Sequence, residues 1–131
     1  MSRKIPESSQ VTMYGRIFRH ENSIVYIYMR DNISLTIQEA QTLVEDVRAL
    51  DNSGQVLLLI VQGINNDLSF EAQRFLGTTN GVIRVALVVH TRLQAEVGQF
   101  FVRFLGLLKS PYEMHIFSRE EVAEAWLLAI P

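Results

Sequence analysis

The chain contains no cysteine. Disulfides, thiolate metal centres and a cysteine nucleophile are therefore excluded, and a reducing compartment suits such a sequence. Basic charge is modest, with 12 Lys and Arg against 14 Asp and Glu, a formal net charge of −2. No run of Lys or Arg exceeds two adjacent residues. A general nucleic-acid binder needs a basic stripe to displace counterions, so that class is set aside. No window approaches the ~18 uninterrupted apolar residues of a membrane-spanning helix, so no stable membrane insertion is expected. The opening MSRKIPESSQ has no apolar core of a signal peptide. The cytoplasm is the expected compartment.

Catalytic and cofactor signatures are missing as well. The sequence has neither GxGxxG nor GxxxxGK[ST], the usual backbone cradles for phosphate. It shows no HExxH, no Ser-His-Asp order and no paired-carboxylate motif. His90 follows an apolar run and His115 lies inside another, but a catalytic histidine needs a positioned partner. Three scattered histidines do not make a metal site. No catalytic residue, cofactor or metal is assigned, and the chain is not expected to be an enzyme.

What is present is the composition of one globular domain: 131 residues, 48% hydrophobic and 20% charged. Residues 1–10 are polar and read as a flexible arm, leaving 11–131 as a single domain. Val11 to Phe18 reads as a strand interrupted by Gly15, and Ser23 to Met29 as a second strand after the polar turn at His20–Ser23. So short a turn makes them an antiparallel hairpin. The second strand is apolar on both faces, which predicts a central position covered on both sides.

Strand and helix then alternate. Thr36 and Glu39 form a capping box before Ile37, Ala40, Leu43, Val44, Val47 and Leu50 at helical spacing. Gln55–Gln62 reads as a buried parallel strand. The turn Gly63–Leu68 leads to a helix capped by Ser69 or Asp67. Val82–His90 is another buried strand, Leu93–Lys109 a long helix stopped by Ser110-Pro111, and Tyr112–Phe117 a last strand. Ser118 and Glu121 form a second capping box, opening a helix with Val122, Ala125, Trp126 and Ala129. The order ββαβαβαβα predicts an α/β fold: a mostly parallel five-stranded sheet with an N-terminal hairpin and four helices.

Four stretches carry a family resemblance: YIYMRDNISLTIQEAQTLVEDVRAL, VLLLIVQGINNDLSFEAQRFLGT, VALVVHTRLQAEVGQFFVRF and the ending IFSREEVAEAWL. Together they resemble the STAS-like (SpoIIAA-like) superfamily, the fold of anti-sigma-factor antagonists, and in particular small uncharacterised bacterial STAS-like proteins. The CRAL-TRIO lipid-binding domains have a related architecture. The resemblance implies a regulatory module that works by protein binding. In anti-sigma-factor antagonists a kinase phosphorylates a serine in an Asp-Ser-Ser-Gly turn at a helix N-terminus. Aligned without gaps from Gly63, that serine falls on Ser69, the family Asp falls on Leu68, and the following Ser-Gly becomes Phe70-Glu71.

Ser69 thus has two readings. As a helix cap it accepts a backbone N–H bond worth about 1 kcal/mol. As a phosphosite or anion site it uses the positive end of a helix, opposed by the charges of Asp67 and Glu71. The turn around it, Arg30-Asp31 and His90-Thr91-Arg92 all lie at carboxyl ends of predicted strands, where open parallel sheets bind ligands. On the helix Leu93–Lys109, the residues Leu93, Val97, Phe100, Phe101, Phe104 and Leu108 form one broad stripe, the expected core face. Ala95, Gly98, Val102 and Gly106, with Leu105 at the edge, form a second face. That face calls for cover from the arm, a neighbouring helix or a homodimer partner. The expected function is a cytoplasmic, non-catalytic protein-interaction module, with Asn65, Asn66, Asp67, Ser69, Val102 and Leu105 on the partner surface. The alternative is a carrier of a lipid or small apolar ligand, using a cavity beside Phe100, Phe101 and Phe104.

Overall fold

The structure, a computed structural model, describes residues 5–129. Ile5 packs on the core and Ser9 is buried. The Arg16 guanidinium donates to Ser9 Oγ at 3.0 Å. The arm expected over residues 1–10 is therefore corrected from Ile5 onward: that part is fixed to the domain, and positions 1–4 lie outside the described residues. The first expected strand is two. The edge strand β1 (Gln10–Val11) and β2 (Gly15–Arg19) are separated by a tight turn. Thr12 Oγ1 accepts from the Gly15 amide at 3.1 Å, and Gly15 takes a φ of 149° with its Cα against the Tyr28 carbonyl. A side chain at Gly15 has no room.

The second strand, β3 (Val25–Met29), pairs antiparallel with β2. Next come β4 (Ser34–Leu35), α1 (Ile37–Leu50), β5 (Val56–Val61), β6 (Asp67–Leu68) and α2 (Phe70–Gly77). The chain ends with β7 (Val82–Val88), α3 (Arg92–Leu108), β8 (Glu113–Phe117) and α4 (Glu120–Leu128). The main sheet runs β1-β2-β3-β5-β7-β8, with β3, β5, β7 and β8 parallel. The expected α/β order holds, with the short β1 added at the hairpin edge. A separate parallel pair joins β4 to β6, aligning Leu35 with Leu68. Two-residue strands carry too little pattern to be read from sequence.

Period-two alternation sorts the strands into two cores. Val56, Leu58 and Ile60 face one side with Val25, Ile27, Val85 and Leu87, while Leu57, Leu59 and Val61 face the other with Tyr26, Ala86 and Val88. The first side is covered by α1, α2 and α3, the second by α4 through Ala123 and Leu127. Two tyrosines, Tyr26 buried and Tyr28 half-buried, fix that second side: Tyr28 Oη donates to Glu120 Oε1 at 2.5 Å, and Tyr26 Oη to Glu124. Because all three crossover helices share one face, the strand order from β3 to β8 never reverses. The crevice at a reversal point, where doubly wound sheets bind ligands, has no counterpart here.

The capping chemistry differs from expectation in two places. Thr36 is the N-cap of α1, but its hydroxyl donates to the Glu39 carboxylate instead of accepting from a backbone amide. That bond holds the Glu39 carboxyl below its ordinary range. Helix α4 begins one residue later than a Ser118 cap requires, with Arg119 at the N-cap and no side-chain bond there. A full capping box does occur, at Thr91 and Gln94 of α3.

Candidate functional site

The loops at the carboxyl ends of β3, β5 and β7 converge, as their positions in the sequence suggest. Asp31 Oδ1 accepts from the Ile64 amide at 2.8 Å, and the Asn32 amide donates to the Ile64 carbonyl at 2.7 Å. Asn66 Nδ2 donates to the Arg30 carbonyl at 2.7 Å, and Gln94 Nε2 to the Gly63 carbonyl at 2.9 Å. Gly63 makes this convergence possible, since a Cβ there would stand 2.3 Å from the Arg30 carbonyl oxygen. Asn32 and Asn65 both take left-handed backbone, at φ of 58° and 59°, and are joined by their side chains at 3.2 Å. Asparagine tolerates that conformation better than most residues. Asn65 and Asp67 are exposed and Asn66 is half-buried. The rim is therefore a polar surface tied down by hydrogen bonds.

Ser69 sits where the rim becomes α2. Its amide donates to the Leu35 carbonyl at 2.9 Å, continuing the β4–β6 pairing by one residue. Its Oγ accepts from the Ala72 amide at 3.1 Å. The hydroxyl is occupied as a helix cap.

Helix α3 is rotated relative to expectation. Leu105 is buried, Val102 is half-buried, and both pack on the core under the sheet. Leu93, Val97 and Phe100, assigned to the core from their spacing, are instead 70%, 59% and 68% exposed. Val102 and Leu105 are thus removed from the candidate partner surface. Two contacts set the rotation. Gly98 lets α3 approach β8, with Ile116 Cδ1 2.6 Å from where a Cβ would stand. Gln94 turns inward, where its Oε1 accepts from the His90 amide at 2.7 Å while its Nε2 reaches Gly63. A close backbone approach and a polar tether outweigh the larger apolar stripe.

That rotation leaves a space between the sheet and its three helices. Helix α2 is eight residues long and packs mainly against α1 and α3, burying only Ala72 and Gly77. Beneath it lies a cavity of about 770 Å³. Its floor is Leu58, Ile60, Val85 and Leu87; Val47 of α1 and Leu76 of α2 close two sides. Phe100, Phe101 and Phe104 form the α3 wall, as the carrier reading expects. Well-packed interiors hold few voids larger than a water molecule. This one is a deep cleft partly open to solvent, since Leu93, Val97 and Phe100 line it and are themselves exposed.

The cavity is apolar along its length and polar at its ends. Asn65, Asn66 and Asp67 of the loop rim stand at one end and Arg48 at the other, where its guanidinium donates to the Asn80 carbonyl at 3.0 Å. Three charged residues touch the lining, Arg48, Asp51 and Asp67. Asp51 is committed elsewhere: burial opposes its charge, but the Ser53 amide and hydroxyl and the Arg19 guanidinium at 3.6 Å outweigh this and hold its carboxyl below its ordinary range. Tyr112 closes one corner, its Oη donating to the Leu76 carbonyl at 2.9 Å, and burial pushes its phenol up.

His90 is exposed at the rim, and its amide, not its ring, makes the contact to Gln94. His115 lies on the outer strand, stacked on Trp126 at 4.6 Å with Nε2 3.0 Å from Glu113. The two histidines do not meet. Among the described residues no group of three or more His, Asp or Glu is placed to hold a metal ion, and no helix is long and apolar enough to cross a membrane.

Residues 18–130 match DUF7793, a domain family of unknown function, and the chain belongs to that family. The architecture is SpoIIAA-like. It is similar to the crystal structure of an uncharacterised DUF3478-family protein with a SpoIIAA-like fold from Shewanella loihica PV-4. The two share a TM-score of 0.58 at 20% sequence identity, over 97% of this chain and 98% of the other. No curated protein matches the sequence.

Proposed function

We propose that this domain is a non-catalytic binding protein for a small apolar molecule, held in the cavity beneath α2. The observation that carries this reading is the 770 Å³ space walled by sheet and helix side chains, within the ~300–1,000 Å³ of ordinary ligand sites. The lining favours an uncharged ligand or an acyl chain. Among the described residues the one cation in the lining is Arg48, at an end of the cavity and bonded to the Asn80 carbonyl, and burying an unpaired charge is costly. A polar head group fits at either end, beside Arg48 or beside Asn65 and Asn66.

The protein-interaction reading has its own support. Asn65, Asn66, Asp67 and Ser69 lie on a rim fixed by hydrogen bonds to Arg30, Asn32, Ile33 and Leu35. Such a rim suits a cytoplasmic partner that distinguishes the filled domain from the empty one. Ser69 serves that surface as the cap that holds the first turn of α2.

Native mass spectrometry of protein taken from its own host tests the ligand reading. The expected result is an adduct of a few hundred daltons, about one per chain, that dissociates on activation and extracts into organic solvent. Protein that flies without an adduct and takes up no neutral apolar probe when one is added would overturn it.

A further inference from the structure

The two ends of the cavity differ in what they can bond. Along β5, Val56, Leu58 and Ile60 face the cavity. Gln62 is the next residue in that alternation, and its backbone amide continues the strand pairing by donating to the Val88 carbonyl at 2.9 Å. Its side chain therefore falls on the cavity side, and Gln62 lines the space. It is half-buried, and among the described residues its carboxamide makes no hydrogen bond. The one buried side-chain polar atom left without a partner among those residues is Asn66 Oδ1, so the Gln62 carboxamide stays open to a ligand.

Asn65, Asn66, Gln73 and Gln94 line the same end. Their nitrogens are committed: Asn65 to the Asn32 side chain, Asn66 to the Arg30 carbonyl, Gln73 to the Leu68 carbonyl at 3.1 Å and Gln94 to the Gly63 carbonyl. The Gln94 oxygen is filled by the His90 and Thr91 amides. Gln73 Oε1 and Asn66 Oδ1 accept nothing among the described residues. The one charge that lines this end among them is the carboxylate of Asp67. The positive ends of α2 and α3 open here too. Ser69 and Thr91 already hold the Ala72 and Gln94 amides, and Glu71 adds a second carboxylate at the start of α2.

We infer that Gln62 reads the head group of the bound molecule, and that this head is uncharged and both donates and accepts a hydrogen bond: a hydroxyl or a carboxamide on an apolar tail. The inference rests on the ligand reading above and adds which end the head occupies. A carboxylate here sits beside Asp67 with no cation in this part of the lining, and burying an unpaired charge is costly. An ether or ester accepts but does not donate, which leaves the oxygens of Gln62 and Gln73 unfilled. Arg48, at the other end, is exposed. A head group beside it stays in water, where a charged pair gains little. At Gln62, half out of water, a missing bond costs more.

The test is displacement of N-phenyl-1-naphthylamine from the full chain by 1-decanol, by its methyl ether and by decanoate at neutral pH, with the affinity of the probe itself measured for each protein. In wild type the alcohol is expected to bind more tightly than decanoate. Gln62→Leu lowers the affinity for the alcohol relative to the ether about tenfold, the scale of one hydrogen-bonding partner lost from a half-dry site. Urea unfolding checks that the variant is folded, and Gln62→Met, which keeps the length of the side chain, repeats the comparison if it is not. An unchanged alcohol-to-ether ratio in a folded Gln62 variant, tighter binding of decanoate than of the alcohol, or a ratio that moves with Arg48→Gln instead overturns the inference and leaves the ligand reading standing. A wild-type protein that binds neither probe nor alcohol saturably overturns both.

Discussion

Gly98 of α3 lies directly against Ile116 of β8, so close that even a methyl group requires the end of the Ile116 side chain to shift. This contact decides which way the longest helix of the domain faces. It places Leu105 inside and Phe100 outside, and it leaves the cavity walled by the phenylalanines.

Gly98→Leu follows from that contact. The new side chain meets Ile116 and Leu87 at the helix–sheet seam, and overpacking of this kind costs about 1–3 kcal/mol. Urea denaturation should show the loss. Gly98→Ala should be far milder, because its methyl meets the mobile end of Ile116 and alanine is the better helix former by about 1 kcal/mol.

The rotation of α3 is checked by a contrast. Leu105→Ala removes a buried side chain and should cost about 2–5 kcal/mol. Phe100→Ser, at a larger but exposed residue, should stay within about 0.5 kcal/mol of wild type. The reverse order in thermal or denaturant unfolding would mean that the phenylalanine stripe is the core face after all.

Ser69→Ala should lower stability by about 1 kcal/mol, the worth of an N-cap, and Ser69→Gly by less. Because the hydroxyl accepts from Ala72, a change confined to stability is the expected result. Loss of partner capture in host lysate from a stably folded Ser69→Ala protein would restore the phosphosite reading.

Two tyrosines set an alkaline limit. Burial, reinforced by the 2.8 Å bond to Asp46, pushes the Tyr14 phenol above its ordinary value of 10.0, and burial does the same for Tyr112. Each folded phenol holds its proton more tightly than the unfolded one. Their contribution is complete below pH 10 and is lost as pH rises past it. Stability measured from pH 9 to 12 should fall, and Tyr14→Phe should flatten that fall. At the acid end the sign is opposite. Asp51 is held below its ordinary range, so its contribution is present above its unfolded value and lost as pH falls through the folded one.

Much of this arrangement is legible in the residues. Val56 to Val61 and Val82 to Val88 carry enough apolar residues on both faces to read as buried strands, and the helices between them have clear spacing. The convergence of Asp31, Gly63 and the start of α3 follows from the order of strands and helices. The rotation of α3 does not, because a hydrophobic stripe counts side chains and takes no account of the close approach a glycine permits. Gly98, with Ile116 and Leu87 opposite, is the residue that spacing undervalues. The Thr91–Gln94 capping box, not among the two boxes read from the sequence although its Thr-x-x-Gln spacing fits the pattern, fixes the inward turn of Gln94. The cavity was open only as an alternative, since sequence cannot say whether Phe100, Phe101 and Phe104 fill a space or border one.

The central claim is that the space beneath α2 holds an apolar molecule. Titration of the protein with N-phenyl-1-naphthylamine, followed by fluorescence, tests it most directly when run beside Val85→Phe, which fills the cavity floor from β7. The account predicts saturable binding near one probe per chain in wild type, displaced by a long-chain alcohol and lost in a Val85→Phe protein that still unfolds cooperatively. Absence of saturable binding in wild type, or undiminished binding in folded Val85→Phe, would contradict it.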